Sequence, residues 1–297
     1  MANIKAFAGI ARVPFLLLPV TLVASGAAAA AYDGAFDLSR TVVALIGLVA
    51  LHIAVNVLNE WGDMRTGIDL HTERTPFSGG SGTLPSGAVS TRTALVFGLM
   101  WAAIGLVTGI WLLAKVGWAL VPIMVLGAVF VLGYTDLLAR SGIGEVAAGL
   151  GLGGLPVIGT ALVQDGTVGP AAVAAAVPAT LMTFNLLLLN EFPDEQADRA
   201  GGRKNLVIML GRPKAAAVYS VAALMTPSAI VGGVIAAILP PLSLAAVLPS
   251  FLLVKPLRWA YTNSRESVPI PALGANVMWI LLTNLVLAVS LGIHLVL

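Results

Sequence analysis

The sequence predicts an all-α polytopic membrane protein of about nine transmembrane helices, arranged as two parallel four-helix repeats plus a last helix. Three observations carry the prediction. Apolar residues make up 58% of the 297 residues and charged ones only 10%, against about 25% charged in an ordinary soluble domain; the mean hydropathy is +0.97. Charges and turn residues divide the chain into apolar segments of the roughly 20 residues that a spanning helix needs. One polar figure, Asn-Glu-aromatic-(Gly or Pro)-Asp, then occurs twice, at Asn59–Asp63 and Asn190–Asp194, 131 residues apart.

The segments fall near 12-31, 41-60, 93-113, 117-135, 143-163, 170-190, 214-237, 240-260 and 273-296. The chain reads as one membrane domain over 1-297, with repeat one at about 12-135, repeat two at about 143-260 and the last helix at about 273-296. The polar figures close the second and sixth segments. Four segments separate them, and an even number of crossings returns both to one face of the membrane. Parallel repeats follow, unlike the inverted repeats of many secondary transporters.

Orientation follows from the basic residues. With the N-terminus cytoplasmic, 14 of the 16 Lys and Arg fall on the cytoplasmic side, Arg265 among them, leaving Arg40 and Lys115 opposite. That is the bias of cytoplasmic loops. On the same side lie 11 of the 14 acidic residues, including Glu266, which topology does not require. A net charge of +2 and basic residues mixed among carboxylates give no nucleic-acid surface. The absence of Cys excludes disulfides, thiolate catalysis and thiolate metal sites.

The first segment, from MANIKAFAGIARVPF, shares the positive start and apolar centre of a secretory signal, but is read here as a spanning helix with Arg12 at its cytoplasmic mouth. Asn56, Asn59 and Asp63 close the second on one helical stripe, with Glu60 one residue round. Asp69 misses that stripe unless Gly67 turns the chain back. The following HTERTPFSGGSG is either a flexible linker or a backbone nest for an anion. Gly105 with Gly109 and Gly149 with Gly153 have the spacing of close helix contacts. GYTDLLARSGIGE brings Tyr134, Asp136, Arg140 and Glu145 to the cytoplasmic side. The sixth segment ends in Asn190, Asp194 and Asp198 on one face, and Pro193 is expected to kink or restart the helix. Arg199, Arg203 and Lys204 follow. The last three segments read as packing. His52 and His294 have no acid near them in sequence and read as packing or interfacial residues, and His71 lacks metal-ligand spacing.

Two facing Asn/Asp clusters with interleaved cations present hard oxygen ligands, which suit magnesium completed by water and substrate phosphates. A diphosphate bridging such ions leaves oxygens for Arg and Lys, and an apolar bundle receives its hydrocarbon tail.

These motifs resemble those of the UbiA superfamily of intramembrane prenyltransferases, whose patterns read approximately N-D-x-x-D and D-x-x-x-D. Within it, NEWGDMRTGID, PFSGGSG, GIGE at 142-145 and NEFPDEQADRAGGRKNL are most similar to the 1,4-dihydroxy-2-naphthoate prenyltransferase (MenA) branch of menaquinone biosynthesis. Two departures stand out. Glu60 replaces the common Asp, and Gly67 replaces a frequent carboxylate. The resemblance implies transfer of an isoprenyl chain from a polyprenyl diphosphate to an aromatic acceptor within the membrane lipid, with Mg2+ and no nucleic acid. It implies metal ligation by Asn59, Asp63 and Asp69 and by Asn190, Asp194 and Asp198. Arg74, Arg140, Arg203, Lys204, Arg12 and Arg65 become diphosphate ligands, and Tyr134 borders the carbocation, where an aromatic face stabilises positive charge. The active site faces the cytoplasm. Other acceptors stay open (4-hydroxybenzoate, homogentisate, a porphyrin-type ring, a lipid head group), as do a cation-coupled transporter and a non-enzymatic lipid-diphosphate binder. A transporter predicts acids along a path through the bilayer rather than on one face.

Overall fold

The computed structural model describes residues 4–262 and 269–293; Arg265, Glu266 and His294 lie outside them. Helices α1 (Ile4–Ile10), α2 (Leu17–Tyr32), α3 (Leu38–Thr66), α4 (Ile68–His71), α5 (Thr91–Val116) and α6 (Val121–Leu132) form the first half. A π-helical turn at Tyr134–Leu138 leads to α7 (Gly144–Gly149), a second π turn (Leu150–Gly154), α8 (Leu155–Asp165), α9 (Pro170–Ala200) and α10 (Leu206–Leu210). The chain ends through α11 (Arg212–Ile235), a 3-10 helix (Pro241–Leu253), α12 (Val254–Thr262) and α13 (Ile270–Ile293).

Eight helical stretches among the described residues are long and apolar enough to cross a membrane, where the sequence predicts about nine. The difference lies in Thr91–Leu132, which qualifies as one stretch of 42 residues. A continuous helix would hold Gly109 and Met124 about 22 Å apart along its axis, yet a Cβ on Gly109 would lie 3.1 Å from Met124 Cε. The chain therefore reverses between α5 and α6. The reversal is at Gly117, whose φ of 75° suits glycine because it has no Cβ to clash.

Burial of small and aromatic side chains builds the main core from α2, α8, α9, α11, α13 and the 3-10 segment, around Leu22, Phe192, Tyr219 and Trp279. Small residues let backbones approach: a Cβ on Gly149 would stand 2.9 Å from Thr180 O. Polar links inside the bundle tie the helices. Asn185 Nδ2 donates to Tyr219 O at 3.0 Å and Tyr219 Oη donates to Asn276 Oδ1 at 2.8 Å, joining α9, α11 and α13.

Two helices run further than the hydropathy suggests. Helix α3 continues through Asp63 to Thr66, and α9 passes Pro193 without restarting and ends at Ala200. Proline removes one N–H, but in an apolar bundle an unwound backbone has no water to turn to, and the helix runs on through it. The polar residues sort to two ends. Asp33 Oδ2 accepts from Ala171 N at 3.1 Å at one end; Asp63 and Asp198 meet at the other, through Arg203. Both polar figures thus stand at the same end of the bundle.

Candidate active site

The site begins at the C-terminal turns of α3 and α9. Gly67 ends α3 in the left-handed conformation, with φ 81°, and the short α4 that follows turns Asp69 inward, where it is 3% exposed. Asp198 ends its own helix buried, and the Gly201–Asn205 segment folds back over it. Asn205 caps α10 by accepting from Ile208 N at 2.9 Å while its Nδ2 donates to Asp198 Oδ2 at 2.9 Å. Arg140 braces this segment, donating to Gly201 O at 3.2 Å.

Arg203 joins the two clusters. Its Nη2 lies 2.6 and 2.7 Å from the two oxygens of Asp63, and Nη1 lies 3.0 Å from Asp198 Oδ1. The amide orientation of Asn59 that matches donors to acceptors accepts from Arg203 Nη2 at 3.0 Å and donates to Asp63 Oδ2 at 3.3 Å. Burial by itself pulls the guanidinium pKa down; the carboxylates of Asp63 and Asp198 outweigh it and hold Arg203 above the ordinary arginine value.

Glu60 and Arg12 form a separate knot. Glu60 is fully buried, pairs with Arg12 Nε at 2.9 Å, and accepts from Ser81 N at 2.8 Å and Ser81 Oγ at 2.6 Å. The SGGSG loop therefore aims an N–H and a hydroxyl at an anion, and that anion is the chain's own Glu60. Arg12 adopts a left-handed backbone, φ 51° and ψ 52°, a costly conformation for a non-glycine residue and typical of constrained sites.

The remaining predicted residues divide. Arg74 is near, with Nη2 donating to Asp69 O at 3.0 Å. Asn190 Nδ2 donates to Phe77 O at 3.2 Å. Lys204 is bound through its backbone to Ala139 O at 3.1 Å, and its side chain is exposed. Arg65 is not brought to the clusters. It lies two residues past Asp63, about 200° round the helix, and is exposed, 3.8 Å from Asp136 Oδ2 and 4.5 Å over the Trp61 ring. Tyr134 sits on the π turn, an insertion frequent at functional sites. Its hydroxyl pKa is pushed up, first by burial, and further by Glu191, Glu145 and Asp198 against the opposing pull of Arg203; it stays protonated. Glu145 and Glu191, both buried, are residues whose part in this network sequence reasoning left undecided or unassigned. Glu145 Oε1 accepts from Leu206 N at 2.5 Å, and Glu191 Oε2 has no partner. The GIGE motif was the available signal for the first.

No three acidic or His side chains among the described residues converge closely enough to hold an ion by themselves. The donors nevertheless fit magnesium, which takes one or two carboxylates and completes its shell with water and phosphate oxygens. Asp69 Oδ2 and Asp194 Oδ1, one from each cluster, are buried with no hydrogen-bond partner. Burial first, then the negative charges of Asp63 and Glu60, push the Asp69 carboxyl up to about 7, which marks a site short of positive charge.

Further along α3 from the clusters, α3, α5, α6, the second π turn and α8 line a partly open cavity of about 360 Å3 with nearly all-apolar walls, including Leu51, Phe130, Val131 and Leu155.

The model of the UbiA prenyltransferase family matches residues 17–285. The chain belongs to that family. It is an integral membrane protein of the UbiA-like all-α fold. Among relatives, it is 25% identical over 205 residues to the 1,4-dihydroxy-2-naphthoate octaprenyltransferase of Bacillus subtilis, covering 66% of this chain and 65% of that one. The match thus spans just under two thirds of that relative's length. The protein of the same name from Mycobacterium tuberculosis is 28% identical over 263 residues, covering 84% and 87%. Among solved structures, a UbiA homolog from Archaeoglobus fulgidus bound to GPP and Mg2+ superposes with a TM-score of 0.67 at 14% identity, over 96% of this chain and 99% of that one. At that identity the likeness is one of fold.

Proposed function

We propose that this member of the UbiA prenyltransferase family transfers a polyprenyl chain from its diphosphate to 1,4-dihydroxy-2-naphthoate, as a step of menaquinone biosynthesis. The observation that carries the reading is the pair of unpartnered carboxylate oxygens, Asp69 Oδ2 and Asp194 Oδ1, in facing clusters with an apolar cavity further along α3. The naphthoate acceptor is supported by the names of the relatives.

In this reading Asn59, Asp63 and Asp69 on one side, and Asn190, Asp194 and Asp198 on the other, hold Mg2+. Magnesium, when bound, supplies neutralising charge for the diphosphate as the allylic C–O bond breaks. Arg203, Arg74 and Arg140 bind the remaining diphosphate oxygens, Arg203 exchanging its carboxylate partners for phosphate. The Tyr134 ring borders the allylic carbocation, and the dry cavity takes the chain and keeps water from the cation. The electron-rich ring carbon that bears the carboxylate forms the new C–C bond, and the ring regains its aromaticity by losing that carboxylate as CO2, which leaves pyrophosphate and a prenylated naphthalene-1,4-diol. The sorting of Lys and Arg supports a cytoplasmic N-terminus and a cytoplasmic site.

The test is prenyl transfer by purified protein in nanodiscs, with Mg2+, radiolabelled polyprenyl diphosphate and each acceptor in turn. Labelled prenyl-naphthol is the expected product. Transfer to 4-hydroxybenzoate or homogentisate alone keeps prenyl transfer and rejects the naphthoate assignment.

A pH dependence follows from Asp69. Its carboxyl is raised from 3.8 to about 7, so between those values the metal-free fold holds a proton that the unfolded chain has lost, and Asp69 makes the fold less stable as pH rises through that window. Mg2+ must displace the same proton. The Mg2+ concentration giving half-maximal rate is expected to be about tenfold higher at pH 6 than at pH 8, and Asp69→Asn should flatten that component. An unchanged Mg2+ requirement across this range removes Asp69 from the ligand set.

A further inference from the structure

The cavity further along α3 from the carboxylates contains a polar group that chain transfer does not use. His52 is 5% exposed and lines the cavity. Its Nδ1 lies 3.0 Å from Leu48 O; a carbonyl only accepts, so Nδ1 carries the hydrogen, and Nε2 of the neutral ring is an acceptor. That Nε2 is buried with no partner. The Thr108 hydroxyl, also in the wall, is already satisfied by its own helix, donating to Gly105 O at 2.9 Å.

The position of His52 matters as much as its chemistry. It precedes Asn56, Asn59 and Asp63 by 4, 7 and 11 residues, so all four share one stripe of α3, and it lies about 10 Å below Asn59. The cavity wall includes none of the cluster residues, so the helix stripe is what relates the two; a prenyl tail lying in the cavity carries no hydrogen to give His52. The acceptor ring, once joined to that tail, carries phenolic O–H groups. There is open space beside Gly127, where a Cβ would meet nothing within 4 Å.

We propose that His52 is the recognition point for the prenylated hydroxy-aromatic product, accepting a phenolic O–H at Nε2 while the chain lies along the apolar walls. The inference rests on the proposed function. The cavity then discriminates the product from the donor it came from. The donor tail leaves Nε2 unpaired, an arrangement that buried acceptors disfavour, and the product satisfies it. Pairing there draws the ring off the carboxylate clusters and frees them for the next diphosphate. His52 is thus a positioning residue for product departure, a step that often limits turnover.

The experiment measures binding without magnesium, in nanodiscs, of three probes: a geranylgeranyl naphthalene-1,4-diol kept reduced, its dimethyl ether, and geranylgeraniol. Wild type is expected to bind the diol about tenfold more tightly than the ether, the worth of one buried hydrogen bond. His52→Leu should erase that difference with ether affinity retained, and His52→Gln, which keeps an acceptor, should restore most of it. Equal binding of diol and ether by wild type, or a preference that survives in His52→Leu, overturns the proposal. So does a His52-dependent preference for geranylgeraniol alone. If His52→Leu does not fold, the diol and ether affinities of wild type and the Gln variant decide. The two readings fail separately. Transfer activity with equal diol and ether binding rejects only the role of His52, and a His52-dependent diol preference without any transfer rejects only the proposed function.

Discussion

Alanine in place of Asp194 is expected to lower prenyl transfer by about 10²–10³-fold, the usual cost of removing one element of transition-state charge stabilisation, while leaving the metal-free protein as stable as wild type or more so. The two effects separate because Asp194 Oδ1 is buried without a partner. Removing a buried, unpaired carboxylate relieves a desolvation cost, so a residue kept for function shows itself as one the fold does better without. Asp63→Ala should lose similar activity but with the opposite stability signature, because Asp63 holds Arg203 at 2.6 Å. Single-turnover rates at saturating Mg2+, together with thermal melts in EDTA, read both. Full activity in Asp194→Ala removes the second cluster from the chemistry, and a strongly destabilised Asp194→Ala assigns it a structural role instead.

Arg203→Met is expected to destabilise the metal-free protein by about 3–5 kcal/mol, the range for breaking a buried ion pair from one side. The residue is 16% exposed in its side chain, and its partners Asp63 and Asp198 are 6% and 1% exposed, so water cannot take over the pairing. Mg2+ should recover part of the loss, since a cation between the clusters replaces the missing charge. Arg203→Lys should retain part of the stability without the fork that spans two carboxylates. The measurement is the melting temperature in detergent with EDTA and with Mg2+. If Arg203→Met melts with wild type in EDTA, the guanidinium is not what holds the two halves of the site together.

Much of the site was legible because its signals are local. The repeat of Asn59–Asp63 at Asn190–Asp194 needs only the chain order to be noticed, and the helical stripe that includes Asn59 and Asp63 needs only the 3.6-residue period. Gly67 as the turn that brings Asp69 inward also followed from one residue's conformational freedom. Arg65 stands away from the clusters, beside Asp136 and Trp61. Positive charge near a helix end satisfies topology and diphosphate binding equally well in sequence, and only its angular position, two residues past Asp63, separates the two. At Pro193 the helix continues rather than restarts, because the cost of breaking a helix depends on whether water is at hand to receive the freed groups.

By itself the sequence determined the class of the protein and the doubling of its polar figure, since hydropathy, spacing and duplication are properties of segments some 20 residues long. Only the tertiary structure decided which charges meet. Arg203 reaches Asp63 across 140 positions of chain, Glu60 is taken by Arg12 and Ser81, and His52 is left with a bare Nε2 in the cavity wall. A long side chain chooses its partner by what packing brings within about 3 Å of it, and that distance is set by how whole helices pack, which no local pattern encodes.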